Sequence, residues 1–296
     1  MSTAFLKSWL KIFAPIALLA FAAGLQMFGA LLYFDSKPDT ILIFSYVIIS
    51  FSIYLLNRYT DDEDSINCPE QRMYFQRKKS LSAIPIAMIF ISFILLASFS
   101  LLTIWHIVLI VCGVVYSVAM VPWLKNKKLV FLRIKDVVIL KNISVSLLWG
   151  ITPFAIAASI TSTETTMNPS TLDLVVVIFA FCLTTFINTT SCDVRDIEGD
   201  QIAGVRTIAA ILGRNVTGLI LIGISVAASV FVGIVSYLGY LHANTILLFF
   251  ITTLWTLLVS IPIYLKSINV PKIITEPLID TQQILCGVAL IVISIQ

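Results

Sequence analysis

Two short acidic stretches contain most of the side chains that are suited to binding a cation. The first, NRYTDDEDSIN, covers residues 57–67, and the second, DVRDIEGD, covers residues 193–200. Together with Glu70 they hold more than half of the chain's 16 acidic residues. Carboxylates crowded together repel one another, and they lose hydration near an apolar phase unless a cation neutralises them. The two stretches therefore predict a cation-binding site.

The spacing within each stretch indicates that the cation ligands lie on one face of a helix. Residues that are three, four or seven positions apart share such a face. The residues with this spacing are Asn57, Asp61 and Asp64 in the first stretch and Asp193, Asp196 and Asp200 in the second. The acids that lie off these faces are interpreted as solvated, and they are Asp62, Glu63, Glu70 and Glu198.

The predicted ligands are all oxygen atoms, which favours Mg²⁺ or Mn²⁺ over softer metals. Mg²⁺ is commonly held by one or two carboxylates together with substrate phosphates. We expect the second stretch to hold one ion firmly, and the first stretch to complete a weaker site when a diphosphate bridges them. The chemistry is then expected to depend on Asp61, Asp64, Asp193 and Asp196.

Basic residues near the acidic stretches indicate that the substrate carries phosphate. Arg133, Lys135 and Lys141 approach or enter an apolar segment, where a Lys or Arg costs about 2.5 to 3.5 kcal/mol at the centre, so each is expected to have an anionic partner. Arg72 and Arg206 follow the two acidic stretches. Metal, cationic side chains and an apolar cavity together suit a diphosphate with an apolar tail, and they would stabilise it as a leaving group. The chain contains no GxxxxGK[ST] motif, which argues against nucleotide hydrolysis.

The elements that position these residues are predicted to be membrane-spanning helices. The chain is 59% hydrophobic and 12% charged, whereas soluble domains have roughly 25% charged residues. Apolar stretches of about 17 to 25 residues cross a bilayer as helices, and none of these stretches alternates like a membrane strand. Nine segments qualify, in one all-α domain over residues 1–296: 12–34, 40–56, 83–103, 105–123, 137–158, 172–191, 216–238, 244–264 and 281–296.

The basic residues predict the orientation of this bundle. All of the 19 Lys and Arg residues except Lys37 fall on one side of the nine segments. By the positive-inside rule, the N-terminus and both acidic stretches lie in the cytoplasm, as does the active site. The net charge of +3 follows from this bias, and we expect no nucleic-acid partner.

Three stretches resemble motifs of the UbiA superfamily of intramembrane prenyltransferases. The run DVRDIEGDQIAGVRTIAAILG resembles the second acidic motif of that family, and NRYTDD with SINCPEQR resembles the first. The segments LRIKD and LKN resemble the basic stretch before the fifth helix. The first motif departs from the family pattern, because Arg58 replaces the usual Asp and because the third acid, Asp64, comes one residue before Ser65, where it is expected.

The resemblance implies a nine-helix enzyme that uses Mg²⁺ to ionise an isoprenyl diphosphate. An aromatic or lipid-like acceptor in the membrane then captures the allylic cation, as in quinone biosynthesis. Water must be excluded, because it would trap that cation. The positions of the basic residues assign Arg72, Arg133, Lys135, Lys141 and Arg206 to the diphosphate, and the resemblance adds Tyr116 and Asn142.

Other functions remain open at this stage. Within the same fold, the chain is also compatible with a terpene cyclase or with an enzyme that transfers phosphoribosyl to a lipid phosphate. A cation transporter is a third alternative. The acidic stretches lie at one membrane face, whereas transporter sites lie near the midplane, which argues against transport.

Overall fold

The described residues fold into a bundle of long helices with a small hairpin. The computed structural model describes residues 3–60, 69–125, 128–161, 170–241, 243–264 and 272–295. The helices are α1 (Thr3–Tyr33), α2 (Thr40–Thr60), α3 (Pro69–Arg77), α4 (Ala83–Ser98), α5 (Ile104–Ser117), α6 (Leu140–Ile160), α7 (Thr171–Ala203), α8 (Ile208–Leu212), α9 (Arg214–Tyr237), α10 (Ile246–Tyr264) and α11 (Lys272–Ile295). The strands are β1 (Val121–Lys125) and β2 (Lys128–Leu132), and short 3-10 turns cover Lys79–Ser82, Ile134–Asp136 and Ala243–Thr245.

The prediction of a multi-pass helical membrane protein is confirmed. Within the described ranges, seven helices are long and apolar enough to cross a membrane. The remaining two predicted segments correspond to shorter apolar helices, Ile104–Ser117 and Ile246–Leu258. Nine crossings therefore stay a prediction, although every predicted segment coincides with an apolar helix.

The sequence analysis was wrong at two segment boundaries. The fourth segment, predicted over 105–123, ends as a helix at Ser117, and β1 then pairs antiparallel with β2, so the fold is not purely α. Pro122 prevents the helix from continuing, and the apolar β-branched and aromatic residues that follow favour a strand. Hydropathy alone does not distinguish a strand from a helix. The last segment, predicted from residue 281, begins as a helix at Lys272 and therefore includes Asp280, which is buried.

The centre of the bundle is α7, which packs against α6, α9, α10 and α11. It ends where Gly204 adopts a left-handed φ of 73°, a conformation that glycine allows at helix ends. Hydroxyl and amide groups link its neighbours. Thr184 of α7 shares a 2.7 Å hydrogen bond with Thr252 of α10, and Gln26 of α1 donates to Gln283 of α11 at 2.9 Å. Such bonds hold helices together in lipid, where the hydrophobic effect between helices is absent.

The close approach of α6 to α7 depends on Gly150. A Cβ atom at this position would lie 2.8 Å from the backbone nitrogen of Cys182, and it would also collide with the sulfur of that residue. Small residues at helix interfaces permit this spacing in membranes. The position of α6 relative to α7 matters for the site, because both helices supply its polar residues.

We predict that Gly150→Ala destabilises the protein and that Gly223→Ala does not. The first change forces α6 and α7 apart and is expected to cost about 1 to 3 kcal/mol through overpacking. A Cβ atom at Gly223 in α9 meets nothing within 4 Å, so alanine should be neutral or gain up to about 1 kcal/mol of helix propensity. Thermal unfolding of both variants in the same detergent measures this difference. Equal unfolding midpoints would contradict the packing argument.

Candidate functional site

Several of the predicted site residues that the structure describes lie at one end of the bundle, which we call the polar end. Here α2 ends at Thr60, α5 ends at Ser117 and α6 begins at Leu140, beside the C-terminal half of α7. The 3-10 turn Ile134–Asp136 bridges these elements, because it contacts both α5 and α6. Residues that are far apart in sequence therefore meet at the same end of the bundle.

Asp193 of α7 is a buried carboxylate with a polar partner on each oxygen. It is 3% exposed, and Lys141 Nζ lies 2.6 Å from its Oδ1 atom. Asn142 Nδ2 donates to the other oxygen at 3.0 Å and to Thr190 Oγ1 at 2.9 Å. The sequence predicted an anionic partner for Lys141, and in this structure that partner is Asp193.

The second acidic stretch is helical throughout, so its three aspartates lie on one face of α7. Asp200 is buried, with 4% of its surface exposed. Asp196 is partly buried and forms an ion pair with Arg195 at 2.6 Å. Glu198, which the sequence analysis placed off this face, is exposed. The described structure thus has the helical geometry that the spacing predicted.

Three cationic residues surround the C-terminal end of α2. Lys135 Nζ donates to Asn57 Oδ1 at 3.1 Å, and Arg133 Nη1 donates to the carbonyl of Thr60 at 3.4 Å. Arg72 Nη1 donates to the carbonyl of Tyr59 at 3.3 Å. Helix C-termini attract positive charge, so this arrangement stabilises the end of α2. Asp61, Asp64 and Ser65 follow directly, and they lie outside the described residues.

Asp136 belongs to this cluster, although the sequence analysis missed it. Its carboxylate forms a 2.6 Å ion pair with Arg133 and also accepts a hydrogen bond from the Arg133 backbone at 2.9 Å. Partial burial opposes ionisation of Asp136, but the hydrogen bonds and charge of Arg133 outweigh it and hold the pKa of the carboxyl below its usual value. The only signal in the sequence was that Arg133 and Asp136 lie three positions apart in RIKD, and such pairs are common in turns.

Tyr116 and Arg206 occupy different surroundings. Tyr116 of α5 lies close enough to Lys141 and to Tyr54 to interact electrostatically with both. Arg206 is exposed in the turn between α7 and α8. The structure therefore brings Tyr116 to the polar end, whereas a diphosphate contact for Arg206 stays a prediction.

An apolar cavity of about 390 Å³ extends from the polar end into the bundle. Asn57, Tyr116 and Thr189 line its upper part, and Trp105 and Thr152 line its far end. The stretch of α5 from Trp105 to Tyr116 spans about 16 Å at 1.5 Å per residue, which estimates the depth of the cavity. The sequence analysis expected an apolar cavity but did not locate it, because its lining residues come from four helices and the turn at Ile134 and follow no single spacing.

The donor atoms at the polar end suit a hard divalent cation. Carboxylate and amide oxygens are supplied by Asp193, Asp196, Asp200 and Asn57, with no soft ligand among them. Within the part of the chain that the structure describes, however, no three acidic, His or Cys side chains come close enough to hold a metal ion. Completion of an ion site therefore requires rearrangement of these aspartates, ligands from the first acidic stretch, or both.

Fold and site together define a class of multi-pass helical membrane proteins in which a charged polar end adjoins an apolar cavity. The family model for the UbiA prenyltransferase family matches residues 17–271, and the chain belongs to this family. Membership supports a prenyltransferase activity in general. No curated protein matches the chain.

Solved structures of distant relatives share the fold. A UbiA homologue from Archaeoglobus fulgidus bound to GPP and Mg²⁺ is 18% identical, with a TM-score of 0.64 over 96% of this chain and 99% of that one. The apo UbiA homologue from Aeropyrum pernix K1 is 19% identical, with a TM-score of 0.60 over 95% and 98%. A structure described for digeranylgeranylglyceryl phosphate synthase is 16% identical, with a TM-score of 0.54 over 98% of each chain.

We predict that Lys141→Met destabilises the protein far more than Lys78→Met. Loss of Lys141 leaves the carboxylate of Asp193 buried without its cation, which typically costs about 3 to 5 kcal/mol. Lys78 is exposed at the end of α3, so its loss should change stability by less than about 0.5 kcal/mol. Adding Asp193→Asn to Lys141→Met should recover much of the loss, because the buried charge is then removed. Detergent unfolding curves for the four proteins test this, and no recovery in the double variant would contradict it.

Proposed function

We propose that this protein transfers an isoprenyl group from a prenyl diphosphate to an aromatic or lipid-like acceptor within the membrane. The observation that carries this proposal is the continuity between a charged polar end and an apolar cavity. Asn57 belongs to both, since it accepts a hydrogen bond from Lys135 and also lines the cavity. One molecule that places a diphosphate at the polar end therefore extends its tail into the cavity.

Mg²⁺ is the cofactor in this proposal, and it would be held by Asp193, Asp196 and Asp200 with Asn57, Asp61 and Asp64. When bound, it neutralises the diphosphate and makes it a better leaving group. The relatives support this assignment, because the Archaeoglobus fulgidus homologue was solved with GPP and Mg²⁺ and also with DMAPP and Mg²⁺.

The cationic side chains bind the oxygens of the diphosphate in this mechanism. Lys135, Lys141, Arg72 and Arg133 already lie at the polar end, so they need only exchange their present partners for phosphate oxygens. The allylic carbon–oxygen bond breaks, and its electron pair leaves with the diphosphate. The acceptor then forms a bond to the allylic carbon and releases a proton.

The cavity excludes water from the allylic cation and offers aromatic faces to it. Tyr54 and Trp149 lie side by side, with ring centroids 5.5 Å apart, and both line the cavity. Rings stabilise nearby cations through their π faces. Tyr116 also lines this space, next to the polar end. These rings therefore favour ionisation of the donor, and the apolar lining keeps water away from the cation.

The acceptor is the finer part of the proposal. The structural likeness to digeranylgeranylglyceryl phosphate synthase favours a lipid-like acceptor, and an aromatic precursor of a quinone is the alternative. A terpene cyclase with the same fold would instead form its product without an acceptor. A phosphoribosyltransferase with the same fold would require a phosphoribosyl donor. A cation transporter would move ions across proteoliposomes without forming any product.

We predict that Asp196→Asn and Asp61→Asn each lower prenyl transfer at least about a hundredfold. Each change removes a charged ligand of the metal, and a loss of about 3 kcal/mol in transition-state stabilisation corresponds to that factor. Asp62→Asn and Glu198→Gln are the matched controls, because both positions lie off the proposed helix faces. Purified protein is incubated at saturating Mg²⁺ with a panel of prenyl diphosphates and acceptors, and products are measured by mass spectrometry. Equal losses in Asp61→Asn and Asp62→Asn would refute the proposed face of the first stretch.

The orientation is also a proposal, and it places the polar end in the cytoplasm. We predict that Leu124→Cys and Lys37→Cys, in a background without other cysteines, react on opposite sides of the membrane. Both positions are exposed, and the hairpin that contains Leu124 lies on the side richest in Lys and Arg. A membrane-impermeant maleimide should label only Lys37→Cys in intact cells and both variants after permeabilisation. Labelling of Leu124→Cys in intact cells would reverse the orientation.

A further inference from the structure

Asp280 of α11 is a buried acid to which the proposed mechanism gives no role. It is 4% exposed, and it lies within Pro277–Ile295, a stretch of helix that is long and apolar enough to cross a membrane. Ionisable side chains inside such stretches are costly and commonly serve a function. What Asp280 can do depends on where it lies relative to the cavity.

A hydrogen bond between α7 and α11 fixes the depth of Asp280 in the bundle. Asn188 Nδ2 of α7 donates to the carbonyl of Ile279 at 2.8 Å. Asn188 is followed by Thr189, which lines the cavity. Along α7, Asn188 lies about 7.5 Å from Asp193, at 1.5 Å per residue. Asp280 therefore lies deeper than the charged polar end, level with the part of the cavity that Thr189 lines.

Two more hydrogen bonds hold α11 in this position, one on each side of Asp280. Trp255 Nε1 of α10 donates to the carbonyl of Leu278 at 3.1 Å. Gln283 Nε2 donates to Thr185 Oγ1 of α7, also at 3.1 Å. Such bonds are not exchanged for bonds to water inside a membrane. The register of α11 at Asp280 is therefore fixed by both of its neighbours.

Tyr54 of α2 connects Asp280 with the cavity. It lines the cavity, and it lies close enough to Asp280 and to Tyr116 to interact electrostatically with both. A tyrosine hydroxyl can donate and accept hydrogen bonds at the same time. A proton can therefore enter Tyr54 from the cavity while the proton of Tyr54 moves to Asp280, and the tyrosine stays neutral.

We propose that Asp280 receives, through the hydroxyl of Tyr54, the proton that the acceptor releases when it captures the prenyl group, and that the reacting group of the acceptor is a neutral hydroxyl. This inference rests on the proposed function and deepens it by naming the class of acceptor. A lone pair of the acceptor oxygen forms the bond to the allylic carbon, and the proton of that oxygen passes to Asp280. The departing diphosphate has already taken the electron pair of the broken bond.

The charge of Asp280 selects against acidic acceptors. A neutral hydroxyl has a proton to release, and its partial positive charge is attracted by the carboxylate. A carboxylate acceptor has no such proton, and the like charge of Asp280 disfavours it in this apolar surrounding.

Neutral and anionic acceptors of matched shape test this selection. The hydroxyl probes are hexadecanol and naphthol, and the carboxylate probes are hexadecanoate and naphthoate. Each is incubated with geranyl diphosphate and Mg²⁺, and the prenyl ether or ester is measured separately from the diphosphate that is released. We expect the wild type to form ethers from at least one hydroxyl probe and no ester from either carboxylate probe.

Asp280→Asn keeps the shape of the side chain but removes the group that accepts the proton. We expect ether formation to fall about a hundredfold, the lower end of what a positioned base contributes. Release of diphosphate should stay within about threefold, because ionisation of the donor precedes the proton transfer, and prenyl alcohol should replace the ether. Tyr54→Phe should lower ether formation similarly, and the double variant should fall no further, because both residues act in one path.

Asp173 provides a matched control. It is also 4% exposed, and it lies in α7 about 30 Å of helix from Asp193. Its carboxylate accepts a hydrogen bond from Ser170 at 2.6 Å at the opposite end of the bundle. Asp173→Asn should therefore change neither ether formation nor the release of diphosphate.

The other outcomes separate this inference from the proposed function. Equal losses of ether formation and of diphosphate release in Asp280→Asn would show that Asp280 only supports the fold, and would overturn the inference. Esters formed by the wild type from a carboxylate probe would also overturn it, as would diphosphate release without capture by either hydroxyl probe. In these cases the proposed function stands. If the wild type releases no diphosphate with Mg²⁺ present, the proposed function itself is wrong.

Discussion

The ion pair between Lys141 and Asp193 is the interaction on which the arrangement of the site depends. A carboxylate that is 3% exposed is stable only with a cation and donors beside it, and Lys141 and Asn142 provide both. Because these partners begin α6, the bond determines how α6 lies against α7. The same register then places Ser144, Leu148 and Thr152 along the wall of the cavity. One ion pair therefore aligns the charged and the apolar parts of the site.

Two aspartates of the second acidic stretch are neutralised by basic side chains in the structure, and this has a consequence for binding under the proposed function. Asp193 is neutralised by Lys141, and Asp196 by Arg195. A divalent cation and a diphosphate bring charges of opposite sign, so the aspartates can pass to the ion while Lys141 passes to phosphate oxygens. Little net charge is then transferred into a poorly hydrated region, where an unbalanced charge would be costly. Either ligand alone lacks this compensation, so the two are expected to bind together.

The sequence predicted what depends on local periodicity and composition. The apolar segments, the helical face of Asp193 and Asp200, and an anionic partner for Lys141 all followed from spacing and from the cost of charge near lipid. The hairpin after α5 was missed, because an apolar run has the same hydropathy whether it forms a helix or a strand. Asp280 was assigned to a loop, because Pro277 and a polar neighbourhood obscured the start of α11. An apolar cavity was expected, but its position and lining were not predictable, since they arise from the packing of four helices and have no local signature.

The exclusion of water is a separate constraint on the site under the proposed function. An allylic cation reacts with water, so the space around it must stay dry. The cavity meets this need along most of its length, because apolar and aromatic side chains of α2, α5 and α6 line it. Asn57, Tyr116 and Thr189 line its polar end, where charged groups attract water. Under the proposed function, control of water at the cation would therefore fall mainly on these three residues.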